Sequence, residues 1–109
     1  MDIYVKEAGK VTLAELSGEV DSKAAAVAQE KILPLIKDDC RLVLDFSRVS
    51  AMSGNGLRFL LTLRRQVPYS GNMVLASLPE QIKDSMAITG FLDLFTIFET
   101  QQEAIRFLS

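Results

Sequence analysis

The chain has 109 residues, 49% of them hydrophobic and 24% charged, with a formal net charge of −2. That length fits one domain with a real core, and the balance excludes a disordered tail. The acidic excess argues against a nucleic-acid partner, because such domains concentrate positive charge. The basic residues that do cluster, Arg58, Arg64 and Arg65, fall in one predicted helix and read as a solvated face.

A single cysteine, Cys40, cannot build an internal disulfide framework, which fits a reducing cytosol. The amino terminus lacks the charged-then-apolar layout of a signal peptide, and no apolar run approaches bilayer length. The expectation is a soluble cytoplasmic domain with no membrane insertion.

Along the chain, residues 3–6 and 11–16 read as two strands joined across Ala8-Gly9-Lys10. Val11, Leu13 and Glu15 share one face of the second strand, while Thr12, Ala14 and Leu16 share the other. The strand pattern runs on to Val20, and Asp21-Ser22 then supplies a helix cap. Ala24, Ala28, Ile32, Leu35 and Ile36 fall at helical spacing and form one buried stripe, with Pro34 kinking or ending the helix. Leu42-Val43-Leu44 marks a strand covered on both faces.

A polar segment follows, with Asp45, Ser47, Ser50 and Ser53, and then Gly54-Asn55-Gly56 opens an apolar helix. Leu57, Leu60, Leu61, Leu63 and Val67 occupy one arc of that helix, with Phe59 at its margin. Arg64 lies inside the arc, so it must snorkel, pair with a carboxylate or face a partner. Pro68 and Gly71-Asn72 mark a loop, and residues 73–76 a further strand. Pro79 fits the first turn of the next helix, which buries Ile82 and Met86 and ends at Gly90. Residues 94–98 read as a last short strand or an extended packing segment, and Thr100 with Glu103 opens a final helix packing Ala104, Ile105 and Leu108. The order β-β-α-β-α-β-α-β-α predicts a mixed α/β layer fold whose later strands run parallel.

The chemistry for catalysis is sparse. The chain has no histidine and one cysteine, so neither zinc-type ligation nor a histidine-activated nucleophile can be assembled. Gly54-Asn55-Gly56 before a helix suggests an anion loop, yet no Lys-Ser or Lys-Thr follows and the spacing fits no nucleotide fingerprint. A tight strand-to-helix turn capped by Ser53 is the better reading. Glu15, Glu19, Asp21 and Asp45 lie near strand ends, where open α/β sheets bind ligands. Capping accounts for Asp21, while Asp45 is positioned to order the polar segment after it by accepting N–H bonds. No partnered acid emerges, so no catalysis and no cofactor are assigned. What remains is a docking surface: a conformationally special loop flanked by Met52 and Phe59.

Three runs of residues then carry a resemblance over nearly the whole chain. Leu16-Ser17-Gly18-Glu19-Val20-Asp21 is similar to the Gly-Glu-aliphatic-Asp run after the second strand of STAS domains. Leu42-Val43-Leu44-Asp45-Phe46-Ser47, with Met52 and then Gly56-Leu57, is the second run, and Ile88-Thr89-Gly90-Phe91 a weaker third. The chain resembles the STAS-domain family, and within it the bacterial anti-sigma-factor antagonists.

The resemblance implies one STAS-like domain over residues 1–109, a mixed sheet packed with about four helices. It also implies partner switching. The unphosphorylated antagonist binds an anti-sigma factor, itself a serine protein kinase, and so frees a sigma factor. Phosphorylation of one serine at the start of the second helix abolishes binding, and a serine phosphatase restores it. A phosphate adds about −1.5 to −2 charges where the partner docks. On this resemblance the partner-binding residues are Asp21, Ser53, Gly54, Asn55 and Phe59, with Asp45 ordering the loop.

The chain departs from the family at the switch itself. The family's Met-Asp-Ser-Ser-Gly-Leu run is Met52-Ser53-Gly54-Asn55-Gly56-Leu57 here, so Gly54 stands at the phospho-acceptor position and has no hydroxyl. Either Ser53 substitutes as acceptor, or the domain is an unregulated binder, or the site is an engineered or lineage-specific loss. A STAS accessory subunit of a transporter or stress-signalling complex is the alternative function, since it needs no serine switch.

Overall fold

The hairpin at the start sets the sheet. Asp2–Ala8 (β1) and Val11–Val20 (β2) pair antiparallel from Asp2↔Ser17 to Ala8↔Val11 in the computed structural model, which describes residues 1–109. Gly9 sits in their two-residue turn at φ +65°, a left-handed conformation open to glycine because it lacks a Cβ.

From β2 onward every pairing is parallel. β2 pairs with Arg41–Met52 (β3), β3 with Asn72–Ala76 (β4), and β4 with Ile97–Phe98 (β5), giving the order β1-β2-β3-β4-β5. Three helices make the crossovers: Ser22–Ile32 (α1), Gly54–Gln66 (α2) and Glu80–Ile88 (α3). Gln101–Leu108 (α4) follows β5. This is the mixed α/β fold, with an antiparallel first strand and four helices, that the element order predicts.

The sheet divides the core in two. Ala14, Leu16, Leu42, Leu44 and Phe46 point toward α1, α2 and α3, where they meet Ala28, Ile32, Leu57, Leu60, Leu63, Ile82 and Met86. Val11, Leu13, Val43, Val74 and Ala76 point the other way, toward Ala104 and Leu108 of α4. The alternation along β2 is the one its sequence predicts, and Leu42, Val43 and Leu44 are fully buried because both faces are covered.

Several expectations change in detail. Ser47 and Ser50 belong not to a loop but to β3, which continues to Met52. From Phe46 onward β3 has only β2 as a neighbour, since pairing with β4 ends at Asp45↔Ala76. Polar side chains are tolerated there, and register shifts in the β2–β3 ladder absorb the mismatch. The α1 stripe stops at Ile32, because Pro34 brings no N–H and the chain tightens into a 3₁₀ turn, Leu33–Leu35. Ile36 is extended and outside the helix.

Pro79 is the residue before α3 rather than inside it, and Gly90 ends that region at φ +79°. Of the last segment expected over residues 94–98, Leu94 closes another 3₁₀ turn, Phe91–Leu94, and only Ile97–Phe98 form a strand. Arg64 resolves its conflict by reaching out of the apolar arc: it is exposed, and its Nε donates to the Leu94 carbonyl at 3.3 Å.

Candidate functional site

Parallel pairing brings the C-terminal ends of β2 and β3 side by side, with Val20 opposite Met52. Each strand then turns into a helix, so the starts of α1 and α2 emerge at the same end of the sheet. Asp21 caps α1, its carboxylate accepting from the N–H groups of Lys23 and Ala24 at 3.0 Å each. Ser53 caps α2 by accepting from the Gly56 N–H at 3.1 Å. The Ser53 N–H in turn donates to the Val20 carbonyl at 3.0 Å, which ties the two strand ends together.

The two glycines of the turn differ in kind. A Cβ on Gly56 would stand 2.0 Å from the Val20 carbonyl oxygen, so α2 rests directly on the backbone of β2. A Cβ on Gly54 would meet nothing within 4 Å. Gly56 is therefore structural, whereas position 54 is open to solvent and would accept any small side chain. Ser53, Gly54 and Asn55 are all exposed, in a row beside half-buried Asp21.

Phe59 is not part of that open row. It is half-buried and packs against the main core, so its ring supports α2 more than it offers a handle. Asp45 sits mid-strand and away from the turn. It is the one buried charged residue, at 4% exposure. Its carboxylate accepts from the Ser47 N–H and hydroxyl at 3.1 Å each, and from the Gln101 amide at 3.0 Å. It thus orders its own strand and anchors α4 to the sheet, since the loop it was expected to order is strand.

Around Asp45 lies a polar cleft of about 260 Å³, lined among others by Tyr4, Lys6, Glu15, Ser17 and Arg48. Lys6 pairs with Glu15 at 2.9 Å, and Gln101 also donates to Glu15 at 3.2 Å. The Lys6 ammonium, and after it the Gln101 amide, hold the Glu15 carboxyl below the usual carboxylate range. Gln101 bridges two acids that lie far from it in sequence, and no local pattern announces it. No group of three His, Cys, Asp or Glu side chains stands close enough to hold a metal ion. No helix is long and apolar enough to cross a membrane.

The geometry at the strand ends is accompanied by a match of residues 2–104 to the STAS domain family. The chain belongs to the STAS domain family. Among curated relatives, a candidate anti-sigma factor antagonist, BtrV of Bordetella bronchiseptica, is 27% identical, covering 95% of this chain and 91% of the relative. The anti-sigma-B factor antagonist of Bacillus subtilis is 29% identical over 89% of this chain and 90% of its own. A crystal structure of an anti-sigma factor antagonist from Mycobacterium paratuberculosis superposes with a TM-score of 0.88 at 20% identity, covering 98% of this chain and 92% of that one. That structural likeness establishes the STAS fold. The resemblance seen in the sequence is thus borne out at the level of the family.

Proposed function

We propose that this chain is a non-catalytic STAS module that antagonises an anti-sigma factor, docking it through the exposed start of α2. The observation that carries this reading is the row Ser53, Gly54 and Asn55, solvent-exposed yet held in one geometry by Gly56 against the Val20 backbone. Pre-organised backbone of this kind loses little entropy on binding. The two curated relatives, whose names describe antagonists of anti-sigma factors, support the same role.

In this reading the partner is an anti-sigma factor of the serine-kinase type, and docking is constitutive. Gly54 offers no hydroxyl to phosphorylate, and the Ser53 oxygen is engaged as the cap of α2. A serine phosphatase then has no substrate at position 54.

The test uses purified protein and the kinase-type anti-sigma factors of the source organism, with binding measured by calorimetry. Asn55→Asp places a negative charge on the docking row without touching the core, and binding should weaken about tenfold or more, a change of about 1.4 kcal/mol. Unchanged affinity would overturn the surface assignment. Incubation with the kinase and ATP should add no mass and leave binding intact. A gain of one phosphate on Ser53 would overturn constitutive docking and make Ser53 the switch. Co-purification with a transporter, and with no anti-sigma factor, would overturn the role itself.

A further inference from the structure

Helix α2 carries three arginines, Arg58, Arg64 and Arg65, and no carboxylate. All three are exposed, and none joins an ion pair, the chain's one pair being Lys6 with Glu15. In a chain of net charge −2 this is a local surplus of positive charge. At about 100° per residue, Leu61 falls between Arg64 on one side and Arg65 with Arg58 on the other. An ordinary solvated helix face interleaves charges of both signs and keeps large apolar side chains off the stripe.

Against this stripe stands the 3₁₀ turn Phe91–Leu94, tied to the helix by the Arg64 Nε bond to the Leu94 carbonyl at 3.3 Å. Between helix and turn lies an open groove of about 350 Å³, lined by Leu61, Arg64, Arg65, Phe91 and Leu94. Its floor is apolar, with Leu94 51% exposed. Its rim is cationic, and no carboxylate lines it. Asp93, the acidic residue of the same turn, lines a different hollow, beside Glu80 and Lys83.

We propose that this groove docks an acidic segment of the protein partner, one that places a large apolar side chain between Asp or Glu residues. Charge complementarity selects that occupant: the apolar anchor fills the floor while carboxylates meet the unpaired arginines at the rim. The proposal deepens the docking role above and rests on it, but uses a separate surface, since Leu61, Arg64 and Arg65 lie about 10–16 Å along α2 from Gly54. Binding there weakens as salt rises, because the rim charges are exposed.

The probe is a synthetic peptide with one phenylalanine flanked by glutamates, titrated into the full chain and followed by amide chemical shifts and fluorescence anisotropy. Shifts should concentrate at Leu61, Phe91 and Leu94. The variant Arg65→Glu, which leaves the Arg64 tie intact, should lose about tenfold in affinity or more and should bind the lysine-flanked form of the peptide better than the parent chain does. Equal binding of both peptide forms, shifts spread elsewhere, or an unaffected variant would overturn the groove. Asn55→Asp should leave peptide binding unchanged. The two failures are therefore separable: an anti-sigma factor that binds through Asn55 while the peptide does not bind sinks the groove alone.

Discussion

Replacing Gly56 by alanine tests whether α2 truly rests on β2. The added Cβ would stand 2.0 Å from the Val20 oxygen, 2.7 Å from its carbonyl carbon and 3.1 Å from its Cγ1. Carbon and oxygen settle no closer than about 3.3 Å, so the helix start must move out by more than about 1 Å. Two of the three atoms are backbone and cannot swing aside. Overpacking a tight site costs about 1–3 kcal/mol. Stretching the Ser53 N–H bond to Val20 removes about 0.5–1.5 kcal/mol more, and alanine's better helix propensity returns at most about 1 kcal/mol.

The expected net loss from Gly56→Ala is about 2 kcal/mol, which lowers Tm by about 8–16 °C in a chain of this size. Urea unfolding followed by circular dichroism measures it, with Gly54→Ala as the matched control. That control adds the same methyl where nothing lies within 4 Å, and should be neutral or slightly stabilising. If Gly56→Ala unfolds at the wild-type urea midpoint, or the two variants lose equally, the close approach of helix to strand is wrong.

The remaining predictions concern the switch position and the acid cluster. Gly54→Ser should fold with unchanged stability and, given a kinase-type anti-sigma factor and ATP, gain one phosphate that the parent chain does not; intact-mass measurement reads both. Gln101→Ala removes the bridge to Glu15 and Asp45 and should cost about 1–2 kcal/mol in urea unfolding, with faster hydrogen exchange in α4; wild-type exchange rates would contradict the anchor. Because Lys6 and Gln101 depress the folded-state pKa of Glu15, the stability this adds is present above the unfolded carboxyl's pKa and lost as pH falls through the folded value. Lys6→Met should therefore move the Glu15 carboxyl, followed by carbon-detected NMR titration, back toward the ordinary range; an unmoved titration would remove Lys6 as the main cause.

The sequence makes most of the fold legible because β2 alternates with period two, β3 and β4 hold continuous apolar runs, and the helices carry apolar stripes. Val11 and Leu13 against Ala14 and Leu16 already separate the two layers of core. The errors fall where tertiary context overrides local composition. Ser47 and Ser50 read as loop because serine favours turns, yet they sit at the two register shifts of a ladder in which β3 stays paired with β2 on either side of each. At the proposed docking site, Ser53 and Asp21 are recognisable as caps from residue type alone. Gly54 and Gly56 look alike in the sequence and are opposites in space, since only the Val20 backbone distinguishes them. Phe59 reads as a surface candidate from the edge of a helical arc, and it stands half-buried with part of its ring against the core. The groove beside Arg64 depends on where the turn Phe91–Leu94 lands, which no local pattern encodes.

The neighbouring helix starts are capped by different means, and the difference sets how the proposed docking end tolerates charge. At α1 the Asp21 carboxylate already answers the positive end of the helix dipole. At α2 the cap is an uncharged serine and the first turn holds no acidic side chain, so about half a positive elementary charge stands unanswered there. A negative group placed on positions 53–55 meets a favourable field from its own helix, and the fold is not weakened by it. The penalty falls instead on whatever must press against that surface. Under the proposed docking role, folding and docking can thus be tuned independently at this one turn, the first by the missing side chain at Gly56 and the second by whatever occupies position 54.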